Sequence, residues 1–232
     1  MSDQTIPALP VLVPRSEESH RHPFTLGVDL DGVCANYSAS MRPIVAEWLG
    51  VPEDDLPVDH DWGMSRWGIA PDGFFPLHRF AVVERGLYRN MAMLPGAGPA
   101  LRRLSAHASI RIITHRLVID HTHRQVVGET VDWLDQCGIP YTDICFIGPK
   151  GEVDADLYLE DGPGNLHALL GAHRDVVAFT HFYNRDIRMP RDHRAVDWQE
   201  AEPLVAAHLL LDQPHRLTEG RDDPLPQSKP PV

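Results

Sequence analysis

Five apolar runs of strand length recur along the chain, and helical patterns separate several of them. The runs are FTLGVDL (24–30), IRIITH (110–115), DICFIG (143–148), ADLYLED (155–161) and DVVAFTHF (175–182). Amphipathic stretches flank the second run, with PALRRLSAHA (99–108) before it and DHTHRQVVGETVDWLDQCGI (120–139) after it. Because strands that alternate with helices pair in parallel, this pattern predicts an α/β fold with a doubly wound, mainly parallel sheet.

Helical spacing also predicts which residues a helix buries and where it ends. In the stretch 120–139, Gly138 is predicted to end the helix, and the apolar positions that share one face are Val127, Val131, Leu134 and Cys137. A further helix is predicted in GPGNLHALLGAH (162–173), with Asn165 as its candidate N-cap.

One long segment breaks the alternation of strands and helices. Residues 36–93 begin with a helical pattern and continue into a stretch rich in Trp, Phe and Pro. The segment is too long for a simple crossover, so it predicts a small, mostly helical cap inserted after the first strand. The core would then comprise residues 24–35 and 94–211. The proline-containing ends, 1–23 and 212–232, are predicted to be disordered tails.

Charge and cysteine content narrow the classes of partner and compartment. The chain of 232 residues has a net charge of -12, which argues against binding a nucleic-acid polymer or an anionic membrane but leaves room for a small phosphorylated substrate. No apolar run approaches the ~20 residues of a membrane helix, and the N-terminus shows no signal-peptide pattern. The three cysteines form no CxxC pair, which favours a reducing, cytoplasmic location. The sequence does not determine the oligomeric state, and a homodimer is compatible with it.

Polar and charged residues follow the ends of four predicted strands. They are Asp29, Asp31, Thr114, His115, Arg116, Lys150, Glu160 and Asp161. In a doubly wound sheet these ends converge on one crevice, where ligands bind. Clustered carboxylates repel one another and therefore imply a hard cation, and a site with few carboxylates suits Mg²⁺. Taken alone, Asp29 and Asp31 could equally form a turn or cap a helix.

This set of side chains has a chemical logic. An aspartate can act as a nucleophile and form an aspartyl-phosphate, and a second carboxylate two residues later can transfer protons. Lysine and a metal ion neutralise the charge of a transferring phosphoryl group, and Thr114 can donate a hydrogen bond to it. Gly32, which lacks a side chain, would let the backbone turn close to the phosphate.

Four ordered motifs resemble those of haloacid dehalogenase-like (HAD) phosphohydrolases. They are DLDGV (29–33), IITH (112–115), Lys150 and LYLED (157–161). The resemblance extends over residues 24–211 and implies a Rossmann-like core. Within that superfamily the chain resembles the 5'(3')-deoxyribonucleotidase group, because the cap lies between the first two motifs and because of the sequences DLDGVCANY and ADLYLEDGPGN.

The resemblance implies a role for each motif residue. Asp29 would be the nucleophile and a Mg²⁺ ligand, and Asp31 would be the general acid/base and bind Mg²⁺ through its backbone carbonyl. The remaining implied roles are phosphoryl binding by Thr114 and Lys150, direct metal binding by Asp161 and water-mediated metal binding by Glu160. The second aspartate favours phosphate-ester hydrolysis or a mutase, because superfamily dehalogenases lack it.

Residues around the motifs are candidates for substrate contact. Gly32 and His115 belong to the first two motifs, Arg116 directly follows the second, and the cap aromatics that could stack on a nucleobase are Trp62, Trp67, Phe74 and Phe75. The same aromatics could instead form the small core of the cap. His121 and His123 suggest zinc, but positions two apart do not share a helix face, which favours an exposed helix start.

These observations favour a Mg²⁺-dependent phosphatase that hydrolyses a small phosphomonoester, a (deoxy)nucleoside monophosphate above others, through an aspartyl-phosphate. A sugar-phosphate phosphatase or a phosphomutase on the same scaffold is an alternative. A non-hydrolytic phospho-receiver domain is another, since such domains also combine clustered acids with Thr and Lys.

Overall fold

A six-stranded parallel sheet forms the centre of the protein. The computed structural model describes the backbone of residues 24–219 and the side chains of residues 24–210. The strands are β1 (Thr25–Val28), β2 (Ser109–Thr114), β3 (Asp143–Phe146), β4 (Leu157–Glu160), β5 (Val176–Phe179) and β6 (Arg194–Ala195), in the order β3-β2-β1-β4-β5-β6. All pairs are parallel, which confirms the predicted α/β fold. The predicted N-terminal tail, 1–23, lies outside the described residues.

The described part of the chain contains seven α-helices. They are α1 (Tyr37–Leu49), α2 (Phe74–Arg79), α3 (Leu87–Asn90), α4 (Ala97–Leu104), α5 (His123–Cys137), α6 (Pro163–Gly171) and α7 (Trp198–Glu219). The last helix runs past residue 211 into the segment predicted to be a C-terminal tail, of which residues 220–232 lie outside the described part. No described helix is long and apolar enough to cross a membrane.

The buried face of α5 differs from the predicted one. Gly138 ends the helix in a left-handed conformation, as predicted, and Leu134 is buried. The other predicted positions, Val127, Val131 and Cys137, are only half-buried, whereas the helix buries Val126, Glu129, Thr130, Trp133 and Leu134. The prediction was wrong because it counted apolar residues alone, and this helix turns two polar side chains toward the protein.

The start of α6 also corrects a prediction. Gly162 is the N-cap and Pro163 occupies the first turn, where its missing N–H costs no hydrogen bond. Asn165 therefore lies inside the helix rather than at its cap.

Segment 36–93 contains helices and turns and no strand, as the predicted helical cap requires. It comprises α1 to α3, 3₁₀ turns at Glu53–Asp55 and Ser65–Trp67, and a π-helical turn at Phe80–Glu84. An antiparallel bridge between Ala35 and Met93 joins the two ends of the segment. Its two chain connections therefore meet beside the carboxyl end of β1.

Buried tryptophans fix the loops that lead to the crevice. Trp198, at the start of α7, donates its indole N–H to the carbonyl of Val33 at 2.8 Å. Trp133 donates likewise to the carbonyl of Met91 at 2.8 Å. Each indole fills apolar space and satisfies a loop carbonyl, so packing and hydrogen bonding together position the chain on both sides of the cap.

Candidate active site

Strand register brings the predicted motif residues to one edge of the sheet. Val28 of β1 pairs with Ile112 of β2 and with Leu159 of β4. The residues that follow these positions therefore emerge side by side. Asp29 continues the ladder, since its N–H donates to the carbonyl of Leu159 at 3.0 Å.

Three carboxylates and one ammonium group form a buried cluster at this edge. Oxygens of Asp29, Glu160 and Asp161 lie within 4.8 Å of one another, and these residues are between 1% and 7% exposed. Lys150 Nζ lies 2.6 Å from Asp29 Oδ2 and 2.7 Å from Glu160 Oε2. The predicted residues of the first, third and fourth motifs thus meet in one place. One lysine leaves the three carboxylates with excess negative charge.

The pKa values in the cluster reflect this imbalance. Burial raises the pKa of Asp29 to about 7; Lys150 opposes the shift, while Glu160 and Asp31 add to it. Burial, with the charges of Asp29 and Glu160, also raises the pKa of Asp161 well above its ordinary value. Burial alone would lower the pKa of Lys150, but Asp29 and Glu160 outweigh that effect and raise it. The cluster would be stabilised by another cation.

The donor set fits a hard divalent cation and a phosphoryl group. Carboxylate oxygens are the ligands that Mg²⁺ prefers, and among the described residues this is the one group of three or more candidate ligands. Thr114 Oγ1, at the end of β2, is buried and has no hydrogen-bond partner among the described residues. Since a buried hydroxyl without a partner is costly, a bound oxygen acceptor would satisfy it.

Asp31 contacts a buried arginine. Its side chain is 25% exposed and lines the crevice, and both of its carboxylate oxygens accept hydrogen bonds from Arg116, at 2.7 Å and 3.0 Å. Arg116, predicted to touch substrate, is 0% exposed and has its guanidinium directed at this carboxylate. His115, by contrast, lines the cavity.

The sequence predicts that Gly32 lets the backbone turn close to a bound phosphate. In the structure, Gly32 lies close to a carboxylate. Its φ is +85°, and a Cβ built there would lie 2.0 Å from Asp161 Oδ2. Its carbonyl accepts a hydrogen bond of 2.7 Å from Nε2 of His181. Only glycine therefore fits at this position of the first motif, against Asp161 of the fourth.

Tyr183, which sequence reasoning missed, joins the acid cluster to the cap. Its hydroxyl donates to Asp161 Oδ2. Its ring packs edge-on against Trp62, with centroids 5.1 Å apart, and near His60 at 5.6 Å. Tyr183 follows the end of β5, so extending the strand-end rule to the fifth strand would have found it.

A cavity of about 300 Å³ lies between the cluster and the cap. The cap side is largely aromatic, and the residues that line it include Tyr37, His60, Trp62, Met64, Phe74, Phe75, His78 and Tyr88. Trp62 and Phe75 are 58% and 62% exposed, so their rings are accessible from solvent. Trp67 is buried in the cap instead, where its ring centroid lies 4.3 Å from that of the tilted His60 ring and its indole N–H donates to the carbonyl of Pro57. The cap aromatics therefore divide between packing and cavity lining.

A buried histidine links two tyrosines in the cavity wall. His78 Nδ1 lies 3.2 Å from the hydroxyl of Tyr37, and its Nε2 lies 2.9 Å from that of Tyr88. Burial lowers the pKa of His78 to about 4, so the ring is neutral near pH 7. His121 and His123, the two histidines that suggested zinc in the sequence, are exposed at the start of α5.

The fold and the site together define a class of protein. The solved structure of an L-2-haloacid dehalogenase aligns with 78% of this chain and 99% of its own, with a TM-score of 0.50 at 12% identity. A likeness at this identity shows the fold alone. It agrees with the HAD-like core that the ordered motifs imply.

Sequence comparison then shows the family. Residues 23–210 match the family model described as "5' nucleotidase, deoxy (Pyrimidine), cytosolic type C protein". A Chlorobaculum tepidum protein provisionally named a 5'(3')-deoxyribonucleotidase is 44% identical over 189 residues, 81% of this chain and 92% of the relative. The Clostridium acetobutylicum 5'(3')-deoxyribonucleotidase is 27% identical over 188 residues, 78% of this chain and 93% of the relative. The chain belongs to this nucleotidase family and is a HAD-type phosphomonoester hydrolase, which excludes the receiver alternative.

Proposed function

We propose that this protein is a Mg²⁺-dependent phosphatase that hydrolyses a deoxynucleoside monophosphate through an aspartyl-phosphate at Asp29. The observation that carries the proposal is the buried cluster of Asp29, Lys150, Glu160 and Asp161 beneath an aromatic cap. Beside it lies the hydroxyl of Thr114, which has no hydrogen-bond partner in the described part of the chain. Excess buried negative charge beside such a donor suits a cation and a phosphoryl group.

In the proposed reaction, a carboxylate oxygen of Asp29 forms a bond to phosphorus, and the bond from phosphorus to the nucleoside oxygen breaks. Asp31 gives its proton to that leaving oxygen. Water then attacks phosphorus, Asp31 takes up the proton of the water, and Asp29 is released as a carboxylate with inorganic phosphate. Lys150 and Thr114 would hold the phosphoryl oxygens throughout.

Asp29 and Asp161 would hold Mg²⁺ directly, Glu160 would do so through water, and the backbone carbonyl of Asp31 would complete the set. When bound, the ion would neutralise charge on the phosphoryl group. The raised pKa values of Asp29 and Asp161 support this assignment, because they reflect carboxylates that lack enough positive charge around them.

The residues of the cavity wall favour a substrate that has a single phosphate group and whose other part is flat and uncharged. Among the described residues that line it, Lys150 is the one lysine or arginine, and it already contacts two carboxylates. A second phosphate at the cap side would meet aromatic rings and the neutral His78 instead of a cation. Base–aromatic stacking contributes roughly 1–3 kcal/mol per base, so Trp62 and Phe75 are well suited to a nucleobase.

Phosphate release tests the proposal across deoxyribo- and ribonucleoside monophosphates, 5' and 3', and sugar phosphates, with Mg²⁺ or with EDTA. We expect Mg²⁺-dependent release that is lost in Asp29→Asn and kept in Asp54→Asn, a matched change at an exposed position of the cap. Borohydride reduction of the phosphoenzyme should convert residue 29 to homoserine. Absence of release from every nucleotide would overturn the proposal, and an isomerised sugar phosphate would identify a mutase.

Alanine at Trp62 tests nucleobase stacking. We expect KM for nucleotides to rise about 5- to 150-fold, the equivalent of roughly 1–3 kcal/mol, while KM for a sugar phosphate stays unchanged. An equal rise for both substrates would exclude a base-stacking role. A cytoplasmic location and a homodimeric assembly stay predictions from the sequence.

A further inference from the structure

The guanidinium of Arg116 is the most deeply buried charged group beside the crevice. Nε and Nη2 donate to the two oxygens of Asp31, at 3.0 Å and 2.7 Å, and Nη1 donates to Thr130 Oγ1 at 3.2 Å. The guanidinium carbon lies 4.4 Å from the ring centroid of Tyr88 and 5.8 Å from that of Trp133. The guanidinium is therefore held by hydrogen bonds in its plane and by aromatic rings.

This enclosure separates Arg116 from the substrate. The side chain is 0% exposed, and it is absent from the described residues that line the cavity, whereas Asp31 lines it. A substrate phosphate could reach Arg116 only by displacing Asp31. The polar face of α5, which the apolar pattern did not predict, supplies Thr130 for this purpose.

We propose that Arg116 is a positioning residue that fixes the carboxylate of Asp31 for proton transfer, and that it does not bind the substrate. The inference rests on the proposed function, in which Asp31 protonates the leaving oxygen. A bidentate guanidinium sets the plane and direction of a carboxylate, which lysine cannot do. When one oxygen of Asp31 carries the proton, that oxygen no longer accepts a hydrogen bond from Arg116. The hydrogen bond from Arg116 to the other oxygen then keeps the carboxyl group oriented.

The first test is kinetic and uses Arg116→Lys, which keeps the positive charge but cannot donate the two parallel hydrogen bonds of the guanidinium group. Because small misplacements of a catalytic group can cost about 100-fold in rate, we expect kcat to fall roughly 10- to 100-fold with little change in KM. Arg111→Lys is the matched control, since Arg111 on β2 pairs with Asp143 on β3 at 3.0 Å and does not line the cavity. A raised KM with unchanged kcat would show a substrate contact and overturn the inference.

The leaving group provides a readout that a purely structural role would not move. In single-turnover experiments, 4-nitrophenyl phosphate releases a weakly basic oxygen that needs no proton, unlike a nucleoside monophosphate. The defect of Arg116→Lys should therefore be much smaller for 4-nitrophenyl phosphate. Equal defects with both substrates would overturn the inference.

A double-mutant cycle completes the test. In the Asp31→Asn background, Arg116→Lys should cause little further loss, because residues that act through one another are not additive. Thr130→Val, which removes one hydrogen bond of Arg116, serves in the same cycle if Arg116→Lys does not fold. Additive losses would overturn the inference while leaving the phosphatase proposal intact. The phosphatase proposal is tested separately, and it fails if no nucleotide is hydrolysed or if Asp29→Asn keeps full activity.

Discussion

Replacing Lys150 by methionine removes the cation that contacts both Asp29 and Glu160. The side chains of Lys150, Asp29 and Glu160 are 3%, 9% and 2% exposed, so solvent compensates little for the lost partner. Breaking a buried ion pair in this way costs about 3–5 kcal/mol. For a domain of this size we expect the Tm in EDTA to fall by about 6–20 °C.

Arg103→Met is the matched control for this experiment. Arg103 contacts Glu202 through two hydrogen bonds of 2.6 Å, but its side chain is 62% exposed. Solvent screens such a pair, so we expect a much smaller change in Tm despite the equally short distances. Thermal and urea unfolding of the two variants and the wild type, at about pH 8 where carboxylates ionise, make the comparison.

Mg²⁺ and pH should both modify the loss caused by Lys150→Met. Without the ammonium group the carboxylates attract Mg²⁺ more strongly, so the rise in Tm on adding Mg²⁺ should be larger in the variant than in the wild type. Lys150 lowers the pKa of Asp29, which burial has raised to about 7, so the variant raises it further. Its folded state then binds more protons, and the loss of stability should shrink as the pH falls. An unchanged Tm in EDTA, or equal Mg²⁺ shifts in the two proteins, would refute this electrostatic reasoning.

Three further variants test other contacts. Gly32→Ala should lose at least about 1 kcal/mol of unfolding free energy, because φ is +85° and the new Cβ would meet Asp161; urea unfolding at or above wild-type stability would contradict this. Tyr183→Phe removes the hydroxyl that donates to Asp161 and should change the Mg²⁺ affinity measured by calorimetry. An unchanged affinity would show that this hydrogen bond has no influence on metal binding. His78 has a pKa of about 4 when folded and about 6.5 when unfolded, so its contribution to stability is present above pH 6.5 and falls by up to about 3 kcal/mol toward pH 4. His78→Gln should lack this loss of stability at acid pH. Identical dependence of the unfolding free energy on pH in the variant and the wild type would contradict this prediction.

The acidic cluster was predictable because it depends on local sequence and one general rule. Asp29, Thr114 and Glu160 each end or follow a strongly apolar run, and parallel strands bring such positions to the same edge of a sheet. The pattern therefore determined the fold class and the residues that meet there. Strand β6 was missed because Arg194–Ala195 is too short to show a pattern and is a strand only through its pairing with β5.

Only the tertiary structure decided what the other polar groups contact. Arg116 follows Thr114 and His115 directly, so its sequence position suggested the substrate, yet packing turns it away toward Asp31 and α5. Tyr183 and Asp161 are 22 residues apart, and their contact depends on the pairing of β4 with β5, which brings the segments after the two strands together. The chain order determines which residues reach the crevice. The direction of each side chain is determined by long-range packing, because a buried polar group must find its partner wherever the fold supplies one.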